Sequence, residues 1–137
     1  MVCDAKARRS KCPVTFALDQ LGDKWSLLVV RDLMFHGKRT YGEFLESDEG
    51  IATNVLADRL KRLEAEGSIE KARDPDNKRR VLYSLTSKGF DLAPLLVEMV
   101  LWSAKHDVDT GVPKELIDWL QNDREGFIQA VREGMKI

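Results

Sequence analysis

At 137 residues, with 43% hydrophobic and 33% charged side chains, the chain has the size and composition of one globular domain with enough apolar material for a single core. Its net charge of −1 excludes a uniformly basic nucleic-acid binder, but the charge is unevenly divided: residues 1–90 carry 17 Lys and Arg against 14 Asp and Glu, and residues 91–137 carry 5 against 9. The first two thirds, net +3, are therefore the place to look for an anionic partner.

The N-terminal MVCDAKARRSKCP lacks the apolar stretch of a secretory signal, and nowhere do roughly 18 apolar residues run together, so a cytoplasmic protein without a membrane partner is expected. Cys3 and Cys12, with His36 and His106, are too few and too badly spaced for a zinc site or a disulfide framework. No metal and no cofactor are expected. Residues 1–11 read as a flexible N-terminal arm.

Pro13 suits a first helical position, and Val14, Ala17, Leu18 and Leu21 follow at helical spacing before Gly22. Asp23 then caps a second helix with Trp25, Leu28, Val29, Leu33 and Met34 as its apolar stripe, ending at Gly37. Thr40 with Glu43 has the spacing of a capping box and starts a short third helix. In GIATNVLADRLKRLEAEG, capped by Ala52 or Thr53, the residues Leu56, Leu60 and Leu63 make one apolar face. Asn54, Asp58, Lys61 and Arg62 make the other, and Gly67 supplies the left-handed exit.

From Ser68 the period changes to two. SIEKAR, a DPDNKR turn and RVLYSLT predict a hairpin with Val81, Tyr83 and Leu85 on one face. Thr86 caps a long apolar helix that Pro94 should kink or split. Two further helical stretches hold Leu116, Trp119 and Leu120, then Phe127, Ile128 and Val131.

Three short helices, an amphipathic fourth and a basic hairpin are the order of a winged helix-turn-helix. One helix presents a free face to the major groove, and the hairpin carries cations toward the backbone. The fold class is thus α+β, mostly α: a winged helix-turn-helix with a two-stranded wing and additional C-terminal dimerisation helices. Residues 12–90 form the DNA-binding domain, and residues 91–137 a helical dimerisation region packed on it.

The segments CPVTFALDQLGDKWSLLVVRDLMFHGKRTYGEFLE, GIATNVLADRLKRLEAEG and RRVLYSLTSKG resemble the HxlR-type winged-helix transcriptional regulators, a MarR-like bacterial group, over roughly Cys12 to Trp102. The resemblance implies a dimeric DNA-binding regulator, a repressor, reading a pseudo-palindromic duplex. It places Thr53, Asn54, Lys61 and Arg62 toward the groove and Lys78, Arg79 and Arg80 on the wing. It also matches Cys12 to the thiol with which some members sense oxidants or electrophiles. Two departures stand out: the chain continues helically from Gly111 to Ile137, and IAT precedes the recognition helix where many relatives have I-S.

Other residues are read with that frame in place. Lys38 and Arg39, at the start of the third helix, are candidate phosphate anchors, with Thr40 a cap. Asp58 is expected to pair with Arg62 at i+4, and Arg59 is either structural or a phosphate contact. Arg8, Arg9 and Lys11 near Cys12, together with a helix N-terminus, favour the thiolate. One small domain cannot bury both the long apolar helix and the tail after it, so Leu95, Leu96, Met99 and Trp102 are assigned to a homodimer interface. The expected partners are double-stranded DNA, a second copy and an oxidant or small-molecule effector. The alternative is a winged-helix module that binds protein, against which the KRR run argues. A thiol-dependent enzyme lacks a base motif beside Cys12, so no catalytic residue is assigned.

Overall fold

The computed structural model describes residues 9–137. Most of the expected N-terminal arm, with Cys3 and Arg8, lies outside the described residues. Helix α1 (Pro13–Leu21) starts at Pro13, and α2 (Ser26–Phe35) follows after the Gly22 break. Helix α3 (Tyr41–Leu45) opens with the full capping box: the Thr40 hydroxyl accepts from the Glu43 amide at 3.2 Å, and the Glu43 carboxylate accepts from the Thr40 amide at 3.1 Å. Helix α4 (Thr53–Ala65) is capped by Ala52 rather than Thr53, with no side-chain cap bond.

Leu56, Leu60 and Leu63 of α4 are fully buried, each contributing roughly 1.5 to 3 kcal/mol of hydrophobic stabilisation. Against them lies α2, whose buried apolar positions are Val29, Val30, Met34 and Phe35. Val30 and Phe35, outside the expected stripe, are as deep as Val29 and Met34 because α2 is covered on more than one side. Gly67, at φ +84°, lets the chain leave α4 so sharply that the Ser68 amide donates back to the Leu63 carbonyl at 2.9 Å.

Strands β1 (Ile69–Asp74) and β2 (Asn77–Leu85) then form an antiparallel pair. The turn is shorter than the sequence suggests. It comprises only Pro75 and Asp76; of the other expected turn residues, Asp74 belongs to β1 and Asn77, Lys78 and Arg79 belong to β2.

Thr86 caps the four-residue α5 (Ser87–Phe90), its hydroxyl accepting from the Gly89 amide. The expected Pro94 helix is split: α6 (Ala93–His106) begins anew with Pro94 in its first turn, where no amide hydrogen is needed. Helices α7 (Lys114–Asn122) and α8 (Arg124–Arg132) fold back onto the winged domain. Phe127 of α8 meets Phe35 of α2 edge-on at 5.9 Å between centroids, and Trp119 of α7 at 5.4 Å. Leu96, Val97, Leu120, Phe127 and Val131 thus share one core with α2 and α4.

This corrects the dimer assignment at one residue. Leu96 is buried in its own protomer, while Leu95, Met99 and Trp102 stay exposed, because α6 turns one face inward toward α7 and α8. Among the described residues no helix is long and apolar enough to cross a membrane.

Candidate nucleic-acid interface

The outer face of α4 is set by what holds its inner face. Thr53, Asn54, Asp58 and Lys61 are exposed and Arg62 is half-buried, on the side away from the leucines. Two contacts that sequence reasoning missed fix the helix in place. The Tyr41 hydroxyl of α3 donates to the Thr53 carbonyl at 2.8 Å, pinning the N-terminus of α4. Arg59 reaches back to Asp23 at 2.9 Å, pinning its middle to the start of α2.

Arg59 is therefore structural, the first of the two readings open to it. It also takes Asp58, so the expected pairing of Asp58 with Arg62 is not formed. The neighbouring guanidinium lies closer to Asp58 than the side chain one turn further on. Lys61 and Arg62 have no ion pair among the described residues.

Lys38 and Arg39 behave differently from each other. The Lys38 ammonium turns inward, donating to Ser47 Oγ at 2.8 Å and lying 3.8 Å from the buried Asp32 carboxylate. Asp32 also takes Arg31, and Arg31 holds Glu49 as well, which keeps the Glu49 carboxyl down at about 2. Lys38 thus joins the network that ties α2 to the segment before α4, and its expected role as a phosphate anchor gives way to that network. Arg39 is exposed. Its carbonyl accepts from the Tyr83 amide at 2.8 Å and its Nε donates to the Tyr83 carbonyl at 3.4 Å, so residue 39 flanks β2 at the base of the wing.

The basic run of the wing is a bulge. Arg73 pairs with Val81 and Asp74 with Asn77, which leaves Lys78, Arg79 and Arg80 without register partners on β1. Three side-chain contacts shape it. Arg73 donates to the Lys78 carbonyl at 2.6 Å, the Asn77 side chain accepts from the Arg79 amide at 3.1 Å, and Arg80 grips the Asp74 carboxylate through Nε at 2.8 Å and Nη2 at 2.5 Å. Asp74 also accepts from the Asp76 amide at 2.9 Å. That main-chain bond and Arg80 hold its carboxyl below the ordinary range. Arg80 is thus a brace for the turn, whereas Lys78 and Arg79, like Arg73, are outside any ion pair among the described residues. The DPDN segment gave a turn signal, but the bulge depends on a strand register that no local pattern encodes.

Cys12 is the exposed N-cap residue of α1. The Thr15 amide, then the Thr15 hydroxyl and the Val14 amide, lower its thiol below the ordinary value. Arg9, expected to assist, is paired with Asp19 at 2.6 Å.

Comparison with known proteins agrees with this geometry. The chain matches the sequence profile of the HxlR-like helix-turn-helix family over residues 20–110, about two thirds of its length. It is 41% identical over 88 residues to the HTH-type transcriptional regulator sll1512 of Synechocystis sp., a match spanning 64% of this chain and 64% of that relative. The crystal structure of PA1607 superposes with a TM-score of 0.70 at 35% identity, covering 79% of this chain and 74% of that one. The redox regulator HypR in its oxidized form gives 0.62 at 32% identity, covering 69% of this chain and 97% of HypR. With α4 pinned behind an exposed polar face and a basic bulge on the adjoining hairpin, the chain belongs to the HxlR-like helix-turn-helix family and is a transcriptional regulator with a winged, DNA-binding fold.

Proposed function

We propose that the protein is a cytoplasmic homodimeric repressor that reads a pseudo-palindromic duplex site. One observation carries the reading: only Glu66, Gly67 and Ser68 separate α4, with its exposed Asn54, Asp58 and Lys61 face, from the hairpin that carries Lys78 and Arg79. In this reading Thr53, Asn54, Lys61 and Arg62 reach base edges or phosphates in the major groove, and Lys78 and Arg79 reach the flanking backbone. Arg39 adds a phosphate contact at the wing base. Residues 12–90 supply this surface and residues 91–137 support the dimer, through Leu95, Met99 and Trp102. Cys12, with its lowered thiol at an exposed helix start, is the oxidant- or electrophile-responsive group, a reading to which the likeness to the redox regulator HypR lends support.

Selection of bound sites from random duplexes by the whole chain tests the core of the proposal. A recurring palindromic motif is expected, and failure to enrich any sequence would sink it in favour of a protein-binding module. On the selected duplex, mild oxidant is expected to weaken the wild type and to leave Cys12→Ser unaffected. An oxidant-insensitive wild type removes the sensing role alone.

A further inference from the structure

Asp58 sits at the centre of the exposed face of α4, one turn after Asn54 and one turn before Lys61 and Arg62, and it is the acid of that face. Glu64, the other acid of α4, lies toward β1, 3.7 Å from Lys71. On a surface whose cations approach phosphate, a carboxylate lowers affinity for every duplex. Its presence there calls for a reason.

Ion pairing with Arg59 is the first account to weigh, and the geometry makes it insufficient. Arg59 already has a partner: its Nε donates to Asp23 at 2.9 Å. Its Nη1 then reaches Asp58 Oδ2. One guanidinium stands between two carboxylates, so the charge of Asp58 is surplus to the fold. What the second contact supplies is direction. Oδ2 is held by a guanidinium that Asp23 holds in turn, while Oδ1 has no partner among the described residues and the Asp58 side chain is 54% exposed. The result is a hydrogen-bond acceptor fixed in place on the face turned away from the core.

An ionised carboxylate accepts and never donates. In the major groove guanine offers it only the acceptors N7 and O6, and thymine an acceptor and a methyl group. Adenine sets the acceptor N7 beside its amino group, whereas cytosine presents an amino group with no acceptor on the same edge. We infer that Asp58 is a specificity-determining residue that accepts from the N4 amino group of one cytosine in each half-site. This rests on the DNA-binding reading above and adds the identity of one base. Lys61 and Arg62 attract every duplex, and Asp58 disfavours those without an amino group in reach.

The test is selection of bound duplexes by the wild type, Asp58→Ala and Asp58→Asn in parallel. The wild type is expected to enrich one cytosine per half-site. Asp58→Ala should lose the preference at that position alone and bind unselected duplex more tightly, because a negative charge is gone. Asp58→Asn, whose amide both donates and accepts, should move the preference to adenine. A duplex carrying N4-methylcytosine at that position, where the methyl group replaces the major-groove hydrogen, should weaken the wild type about tenfold and Asp58→Ala roughly twofold at most. An affinity change of the same size at every position, the outcome of a merely structural or merely electrostatic role, would overturn the assignment. So would equal sensitivity of the two proteins to N4-methylcytosine. A wild type that enriches no motif overturns the DNA-binding reading itself, whereas a wild-type motif that Asp58→Ala shares unchanged overturns the cytosine assignment alone.

Discussion

Asp23 stands where α2 and α4 meet. It accepts from the Trp25 and Ser26 amides at 2.8 and 2.9 Å, from the Ser26 hydroxyl at 2.6 Å and from Arg59 at 2.9 Å. Burial alone would raise its carboxyl, but the Ser26 hydroxyl, Arg59 and the two amides outweigh burial and hold it far below the ordinary value. The stability it contributes is therefore complete above the unfolded-state value near 4 and is lost as pH falls through the lower folded-state value. Asp23→Ala is expected to cost roughly 1 to 3 kcal/mol at pH 7, the worth of a lost cap and a charged hydrogen bond. The gap to wild type should narrow as pH drops below about 4. Denaturant unfolding of both proteins across that range checks it, and a gap independent of pH would show that the charge of Asp23 is not what matters.

The wing shows at the scale of an element how a charge run divides into brace and contact. If Asp74 shapes the bulge, Asp74→Ala loosens Lys78 and Arg79 and weakens DNA binding, although removing an acid from a DNA-facing hairpin should by charge alone strengthen it. A severalfold loss of affinity is expected, with faster exchange of the Asp76 amide. Arg79→Ala, in contrast, should leave that amide protected and flatten the salt dependence by about 0.9 logarithmic units, one phosphate contact. Tighter binding by Asp74→Ala, or an unaltered salt slope in Arg79→Ala, contradicts this division.

The same element shows what a sequence can and cannot reveal. Thr40 with Glu43, Thr86, the Leu56, Leu60, Leu63 stripe and Gly67 were legible because caps and periodicity are local signals, and the winged architecture followed from their order. The inward turn of Lys38, the hold of Asp23 on Arg59 and the KRR bulge were not. Each depends on a partner in another element or on strand register, and the exposed face of α4 was easier to read than the cations that fold themselves away.

For the whole molecule, the extension past the family match is part of the core. Phe127 and Val131 are buried against α2, so α7 and α8 absorb one face of α6, and the apolar surface left over is narrower than the sequence alone suggested. That surface consists of Leu95, Met99 and Trp102 on α6, with Val14 and Leu18 exposed on α1, which buries no residue completely. A Trp 68% exposed on a helix that also shows Leu and Met is the kind of surface a second copy covers. The two faces of α6 therefore predict opposite outcomes. Trp102→Glu should yield monomers in sedimentation with thermal stability of the protomer close to unchanged, because the side chain supports little within its own chain. Leu96→Ala should keep the dimer but cost about 2 to 5 kcal/mol of folding stability, because it opens a cavity in the protomer core. If Trp102→Glu sediments like wild type, the dimer uses another surface, and the exposed α1 stripe of Val14 and Leu18 becomes the next place to place a charge.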